Sequence, residues 1–213
     1  MKFNKKMLLL YAVTDRAWVG KQSLYEQIEE ALQGGVTIVQ LREKSLSESE
    51  LAAEAVKVKT LCDRYGVPLI INDNYKVAIK IGASGVHVGI EDAPVAQIRK
   101  TAGEDFIIGA TAKTVEQAKA AEAAGADYLG VGAVFPSPTK KNAVRITTEG
   151  LKEICSSVNI PTVAIGGITL DNISEISGGG MDGVAVVSAI FGAENIRDAA
   201  SKLKKEAKAA VGI

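Results

Sequence analysis

Residues 125 to 131 read Gly125-Ala126-Asp127-Tyr128-Leu129-Gly130-Val131. The glycine follows a segment of helical spacing, residues 115–124, and precedes a short apolar run, residues 128–131. Glycine often ends a helix, and a short apolar run bounded by turn residues is typical of a buried β-strand. This stretch therefore predicts the step from a helix into a strand of a covered sheet.

The same step recurs along the chain at intervals of about 50 residues, which corresponds to two strand-helix units. The other turns are Gly34-Gly35-Val36, Gly82-Ala83-Ser84-Gly85-Val86 and Gly179-Gly180-Met181-Asp182-Gly183. Apolar runs predict eight strands, at residues 8–13, 37–41, 68–71, 85–88, 106–110, 128–131, 162–165 and 183–187. Helical spacing predicts helices at residues 24–32, 48–65, 95–101, 115–124, 148–156, 172–177 and 196–210.

Strands that are apolar at nearly every position, each followed by a helix, require a parallel sheet covered by helices. Four similar quarters predict that the sheet closes, giving an α/β fold of the (β/α)8 TIM barrel type in a single domain, residues 1–213. An open, doubly wound sheet is the competing fold, and it predicts a Gly-x-Gly-x-x-Gly turn after the first strand. The sequence there is Thr14-Asp15-Arg16 instead.

The amino-acid composition indicates which kinds of partner the protein binds. The chain has 213 residues, of which 47% are hydrophobic, and 25 basic residues balance 25 acidic ones. Without net charge there is no overall field to attract nucleic acid or an anionic membrane, so we expect small-molecule partners. No apolar stretch approaches the length of a membrane helix. Cys62 and Cys155 lie far apart without Cys-x-x-Cys spacing, which fits packing residues in a reducing cytoplasm.

The barrel brings the carboxyl ends of its strands together at one mouth, where active sites of this fold form. After the sixth strand, the loop offers hydroxyl groups from Ser137 and Thr139, with Pro138 between them, and positive charge from Lys140 and Lys141. Hydroxyls and lysines together suit an anion, although most lysine pairs in loops are simply solvated. This loop is therefore a candidate anion site.

The last two strands predict a phosphate site. Gly166 and Gly167 follow the seventh strand, and the eighth strand ends in Val187 and Ser188. Such residues let backbone N–H groups approach a phosphate, which this fold often binds at that place. The alternative is that the two glycines only make a tight turn.

A second anion site is predicted at strands two and three. The second strand ends in Gln40-Leu41-Arg42-Glu43-Lys44, where alternation sends Gln40, Arg42 and Lys44 to one side. Asp73 and Asp92 follow the third and fourth strands, as expected for Mg²⁺ held by carboxylates and ligand phosphate oxygens. Ordinary salt bridges are the alternative for either aspartate alone. Cations, two acids and a separate phosphate site together suggest a diphosphate leaving group.

These motifs resemble the thiamine-phosphate synthase family over essentially the whole chain. The resemblance rests on Gln40-x-Arg42-Glu43-Lys44, Asn72-Asp73, His87-x-Gly89-x-Glu91-Asp92, Gly109-x-Thr111, Pro136-Ser137-x-Thr139-Lys140-Lys141, Ile165-Gly166-Gly167-Ile168 and Val187-Ser188-Ala189-Ile190. The first and fifth of these are the most specific, whereas the last two occur in many phosphate-binding barrels.

The resemblance implies a transferase that joins an aminopyrimidine methyl diphosphate to a thiazole phosphate, giving thiamine phosphate and diphosphate through a pyrimidine carbocation. It implies that Asp73 and Asp92 bind Mg²⁺ and that Arg42, Lys44 and Lys140 are catalytic. The pyrimidine diphosphate would contact Gln40, Leu41, Arg42, Glu43, Lys44, Asn72, Thr111 and Lys140. The thiazole phosphate would contact Ser137, Pro138, Thr139, Gly167, Val187 and Ser188. A homo-oligomer is possible by analogy alone.

Three positions depart from the family pattern. Thr111 stands where Ser is common, Lys113 where His is frequent, and Ile90 where Gln often precedes the acidic pair. Lys113 is either a further diphosphate contact or an exposed lysine, of which we favour the second. For His87, the only histidine, we favour a hydrogen-bonded structural role over proton transfer.

Two other functions share parts of this pattern. A related barrel, the thiazole tautomerase, isomerises a thiazole carboxylate phosphate and makes no bond between two substrates. A non-catalytic sensor of thiamine phosphates would need the phosphate site and no metal. Asp73 and Asp92 together with the cations favour the synthase over both.

Overall fold

The computed structural model describes residues 2–20, 22–136 and 145–213. Eight parallel strands form a closed barrel in chain order, so the predicted (β/α)8 fold is confirmed. The strands are β1 Leu10–Val13, β2 Ile38–Leu41, β3 Leu69–Asn72, β4 Gly85–Val88, β5 Ile107–Ala112, β6 Tyr128–Gly132, β7 Thr162–Ile165 and β8 Gly183–Val186. The barrel closes where Leu10, Tyr11 and Ala12 of β1 pair with Val184, Ala185 and Val186 of β8.

Helices alternate with these strands on the outside of the barrel. They are α1 Leu24–Gln33, α2 Glu48–Tyr65, α3 Tyr75–Lys80, α4 Val95–Ala102, α5 Val115–Ala123, α6 Thr148–Ser156, α7 Ser188–Phe191 and α8 Ile196–Val211. The predicted helix at residues 172–177 is a 3-10 helix, Ile173–Ile176. The short helices α3 and α7 were not predicted, because six and four residues are too few to show a helical period.

Local sequence signals explain where the long helices begin and end. Ser23 and Ser47 each form a capping box, with Glu26 and Glu50 respectively. This arrangement satisfies backbone N–H groups that a helix N-terminus leaves without partners. Gly66 ends α2 in the left-handed region at φ 65°, which residues with a Cβ rarely adopt.

Alternation along the strands separates two apolar layers. Leu10 and Ala12 of β1 pack outward against the helices, whereas Tyr11 and Val13 point into the barrel. Tyr128 of β6 also points inward, and it and Tyr11 are among the largest fully buried side chains. Both tyrosines carry a hydroxyl, so the interior of this barrel contains polar groups that need hydrogen-bond partners.

A partly buried ion pair ties α4 to the amino-terminal ends of β5 and β6. Arg99 donates to the carbonyl oxygens of Gly103, Phe106 and Gly125 and lies 2.6 Å from Asp127 Oδ2. The same oxygen of Asp127 accepts a hydrogen bond from the backbone of Ile108. These contacts lie at the opposite end of the strands from the mouth, so they hold the scaffold and not the site.

Cys62 and Cys155 are buried and free, which agrees with their prediction as packing residues. Burial raises the pKa of the Cys62 thiol to about 12 and also raises that of Cys155. In the part of the chain that the structure describes, every helix is too short or too polar to cross a membrane.

Candidate active site

A cavity of about 320 Å³ opens at the carboxyl ends of the strands. Seven of the predicted substrate-binding residues line it: Gln40, Arg42, Asn72, Thr111, Gly167, Val187 and Ser188. They come from five strands or the turns that follow them, and the barrel brings them together although they span almost 150 positions of sequence. The predicted location of the site is therefore a real cavity.

The glycines after β7 shape one wall of this cavity. Gly166 and Gly167 have φ angles of 104° and 65°, so both lie in the region that favours glycine. A Cβ on Gly167 would collide with the backbone of Phe135 and with the carbonyl oxygen of Pro136. Asn172, which was not among the predicted site residues, donates from Nδ2 to the Gly167 carbonyl oxygen at 2.9 Å. The turn is thus fixed in a conformation that leaves its backbone close to the cavity.

Residues 137–144 lie outside the described part of the chain. The predictions for Ser137, Pro138, Thr139, Lys140 and Lys141 all fall there and stay predictions. The chain on either side is held at the cavity wall, because Ile146 N donates to the carbonyl oxygen of Ala133 at 2.9 Å, and Ala133 lines the cavity.

Cations and acids pair with each other in the loops after β1, β2 and β3. Arg42 Nη1 lies 2.9 Å from Asp15 Oδ2, with both side chains mostly buried. Lys44 Nζ lies 2.6 Å from Asp73 Oδ2. Asp73 has a φ of 61°, unusual for a residue with a Cβ, and its N–H donates to the His87 carbonyl oxygen at 2.8 Å. The backbone therefore orients the Asp73 carboxylate despite a strained conformation.

The two predicted metal ligands offer the oxygen donors that Mg²⁺ prefers. Asp92 Oδ2 accepts from the backbone of Gly89 at 2.7 Å. Among the described residues, Oδ1 of Asp73 and Oδ1 of Asp92 accept no hydrogen bond, so one oxygen of each carboxylate is available to a cation. Within the described ranges there is no cluster of three or more His, Cys, Asp or Glu side chains that could hold a metal alone. This set fits an ion that also uses ligand phosphate oxygens.

Leu41 and Glu43 face away from the cavity. Leu41 is fully buried in the layer between strands and helices. The Glu43 side chain is 1% exposed, and its Oε2 lies 2.7 Å from Arg16 Nε. The side chains of Leu41 and Glu43 therefore pack on the outside of the barrel. Any contact that these residues make with a substrate would be through their backbone atoms.

Asn72 and Lys113 both bring nitrogen donors to the wall of the cavity. Asn72 Nδ2 is buried and has no hydrogen-bond partner among the described residues. An unpaired buried amide donor is costly, and a ligand oxygen or nitrogen would satisfy it. Lys113 is half-buried on the cavity wall, so the preferred prediction of an exposed lysine is not what the structure shows.

A chain of hydrogen bonds that was not predicted crosses the floor of the cavity. Gln40 Nε2 donates to Tyr11 Oη at 2.8 Å, and Tyr11 Oη lies 2.8 Å from Tyr128 Oη. His87 Nδ1 lies 3.1 Å from Tyr128 Oη, and His87 Nε2 lies 3.1 Å from Thr111 Oγ1. Burial raises the pKa of both tyrosines above the ordinary range, so both hydroxyls keep their protons. Tyr11 and Tyr128 looked like ordinary apolar strand residues in the sequence, which is why they were missed.

Comparison with known proteins assigns the family. A family model described as thiamine monophosphate synthase matches residues 10–190. The chain belongs to the thiamine monophosphate synthase family. It is therefore an enzyme, and a transferase.

Individual members of the thiamine monophosphate synthase family match nearly the full chain. A thiamine-phosphate synthase from Clostridium tetani (strain Massachusetts / E88) is 46% identical over 194 residues, covering 91% of this chain and 93% of its own. Another from Alkaliphilus oremlandii (strain OhILAs) is 46% identical over 209 residues, covering 98% and 100%. The structure of a thiamine phosphate pyrophosphorylase from Pyrococcus furiosus superposes with a TM-score of 0.90 at 39% identity, covering 98% of this chain and 99% of its own.

Proposed function

We propose that this protein is a thiamine-phosphate synthase. It joins 4-amino-2-methyl-5-(diphosphooxymethyl)pyrimidine to 4-methyl-5-(2-phosphooxyethyl)thiazole and releases thiamine phosphate and diphosphate. The observation that carries the proposal is that two opposite kinds of residue line one cavity. One wall has polar and cationic side chains, and the other has glycine and small hydroxyl residues. Arg42 and Asn72 approach it from β2 and β3, whereas Gly167 and Ser188 approach it from β7 and β8. Such a cavity has a place for each of two phosphorylated substrates.

The diphosphate would lie on the β2 to β4 side of the mouth. Arg42 and Lys44 bring positive charge there, and Lys140 is proposed to add to it. Asp73 and Asp92 would hold Mg²⁺, which neutralises charge on the diphosphate when it is bound. Arg42 supplies a fork of donors that a diphosphate can share, because its pairing with Asp15 uses only Nη1 in the described structure.

The reaction fits a dissociative substitution. The bond between the pyrimidine methylene carbon and the diphosphate oxygen breaks, and its electron pair leaves with the diphosphate. The lone pair of the thiazole nitrogen then forms the new carbon–nitrogen bond. These two steps require that the protein stabilise charge on the leaving group and hold the two substrates close together. They do not require a protein nucleophile. Arg42, Lys44 and the walls described above are suited to those two tasks.

The thiazole phosphate would lie against the turns after β7 and β8. The backbone at Gly167 can approach a phosphate closely because no Cβ intervenes. Val187 and Ser188 line the same cavity, and Ser188 adds a hydroxyl. Ser137, Pro138 and Thr139 are proposed to complete this wall. We further expect a cytoplasmic enzyme, as the cysteine usage suggests.

Diphosphate release tests the proposal directly. The protein is mixed with both substrates, with and without Mg²⁺, and each substrate is omitted in turn. We expect release of diphosphate only with both substrates and the metal, with one thiamine phosphate formed per diphosphate. No release while thiazole phosphate still binds would instead favour the thiazole tautomerase or a thiamine phosphate sensor.

A further inference from the structure

The hydrogen-bond chain across the cavity floor has a direction. The amide nitrogen of Gln40 donates to Tyr11 Oη, so the Tyr11 oxygen acts there as an acceptor. Among the described residues, the only other partner of Tyr11 Oη is Tyr128 Oη, at 2.8 Å. The Tyr11 proton must therefore go to Tyr128, because a buried hydroxyl rarely leaves its donor unused.

The same reasoning assigns the next two hydrogen bonds, those of Tyr128 and His87. Tyr128 Oη accepts from Tyr11, and within the described residues its remaining partner is His87 Nδ1, at 3.1 Å. Tyr128 therefore donates to Nδ1. A neutral imidazole that accepts on Nδ1 carries its proton on Nε2. His87 Nε2 then donates to Thr111 Oγ1, also at 3.1 Å.

We propose that Gln40, Tyr11, Tyr128 and His87 form a directed relay that holds His87 as its Nε2–H tautomer and presents the Thr111 hydroxyl to the ligand as a hydrogen-bond donor. Thr111 Oγ1 has no other hydrogen-bond partner among the described residues, and Thr111 lines the cavity. The relay thus selects a ligand that offers an acceptor there, such as an unprotonated nitrogen of a heteroaromatic ring. Tyr11, Tyr128 and His87 act through Thr111 and are positioning residues.

Two glycines make room for the contact between His87 and Tyr128 on which the relay depends. A Cβ on Gly109 would lie 2.5 Å from His87 Nδ1 and would collide with the Tyr128 hydroxyl. A Cβ on Gly130 would lie 3.0 Å from His87 Cε1. The strands β5 and β6 therefore lack side chains where the imidazole and the phenol meet. The space is shaped around this pair of rings, and any larger residue would separate them.

The orientation of the Gln40 side-chain amide sets the direction of every hydrogen bond in the relay. If the amide were turned over, its oxygen would accept from Tyr11, Tyr128 would donate to Tyr11, and His87 would donate from Nδ1. Nε2 would then accept from Thr111, and the cavity would select a ligand donor instead. The two directions thus differ in the tautomer of one imidazole, which can be measured.

Nitrogen NMR of the imidazole distinguishes the two directions. His87 is the only histidine, so a long-range ¹H–¹⁵N correlation spectrum of the labelled protein contains a single imidazole pattern. We expect the Nε2–H pattern in the unliganded wild type at a pH where the ring is neutral. An Nδ1–H pattern overturns the proposal. This measurement needs no variant and no activity, so it stands apart from the outcome of the diphosphate assay.

Removing one hydroxyl then tests whether the relay sets the tautomer. Tyr128→Phe should shift the Nδ1 resonance and mix the two tautomers, whereas Tyr65→Phe, at an exposed tyrosine on α2, should leave the spectrum unchanged. A folded Tyr128→Phe variant with the wild-type pattern overturns the role of Tyr128.

Kinetics provide the functional readout, which rests on the proposed synthase activity. Tyr11→Phe and Tyr128→Phe should raise KM for the pyrimidine diphosphate by about tenfold and leave KM for the thiazole phosphate unchanged. Equal changes in both constants would mean a general structural defect and would overturn the positioning role. If the wild type releases no diphosphate, the proposed function fails while the tautomer result is unaffected.

Discussion

Lys44 Nζ and Asp73 Oδ2 lie 2.6 Å apart, so the cation predicted to bind diphosphate and the acid predicted to bind Mg²⁺ form one ion pair. The Lys44 side chain is 57% exposed and that of Asp73 31%. A pair so exposed adds little to stability. Lys44 and Asp73 follow β2 and β3 at the ends of the strands where Arg42 and Asn72 line the cavity. The pair is therefore better suited to contacting a charged ligand than to stabilising the fold.

Lys44→Ala should separate stability from activity. We expect the free energy of unfolding to change by less than about 1 kcal/mol, because the pair is largely solvated. Diphosphate release should fall at least about 100-fold, because the lysine would stabilise charge on the leaving group. Lys59→Ala, which removes an ion pair with Asp63 on α2, is the matched control and should keep full activity. Equal activity of the two variants would remove Lys44 from the proposed machinery.

Asp92→Asn should impair coupling without disturbing the loop after β4. The amide oxygen can still accept from Gly89 N–H, which the carboxylate does at 2.7 Å, so the turn should persist. Losing the negative charge should weaken the proposed Mg²⁺ site and slow coupling strongly. Calorimetric binding of thiazole phosphate should be unchanged. A variant with an undiminished rate would exclude Asp92 as a metal ligand.

Gly167→Ala should damage the proposed phosphate wall. The substitution adds a Cβ at a φ of 65° that collides with Phe135 and the Pro136 carbonyl oxygen. We expect KM for thiazole phosphate to rise at least about tenfold and stability to fall by about 1 to 3 kcal/mol. Gly178→Ala is the control, because Gly178 has a φ of 75° and its added Cβ would meet nothing within 4 Å. It shares the backbone strain and should leave KM unchanged.

Arg99→Ala should destabilise the barrel by about 3 kcal/mol in chemical denaturation. The Arg99 side chain is 13% exposed, and its loss leaves Asp127 without its cation and several carbonyl oxygens without a donor. Arg99→Lys should recover only part of this, since an ammonium cannot reproduce the planar fork. Lys100→Ala, at the exposed neighbouring position, should change stability by less than about 0.5 kcal/mol. A similar loss in both alanine variants would contradict this role of Arg99.

The two thiols should be inert in the native protein. Burial raises the pKa of Cys62 to about 12 and raises that of Cys155, so the reactive thiolate is scarcer at neutral pH than for an ordinary cysteine. Mass spectrometry after brief treatment with iodoacetamide at neutral pH should show no adduct on the native chain and two after denaturation. Rapid native labelling of Cys62 would show that α2 opens locally.

The sequence by itself determined the barrel and the neighbourhood of the site. Each predicted strand is present within two residues of its expected ends, because runs such as residues 128–131 contain no charged residue and are bounded by turn residues, here Asp127 and Gly132. The fold then requires the polar residues after the strands to meet at one mouth. Gln40, Arg42, Asn72, Thr111 and Gly167 could be placed at the cavity for that reason alone.

Only the tertiary structure decided how those residues interact. Strand alternation in one segment does not say that Lys44 meets Asp73, which lies on another strand, or that Glu43 turns outward to Arg16. Tyr11 and Tyr128 read as apolar strand residues, and their hydroxyls become part of the site because barrel closure brings them within 2.8 Å across 117 residues of sequence. Hydrogen bonds between distant strands depend on register and curvature, which no local pattern of residues encodes.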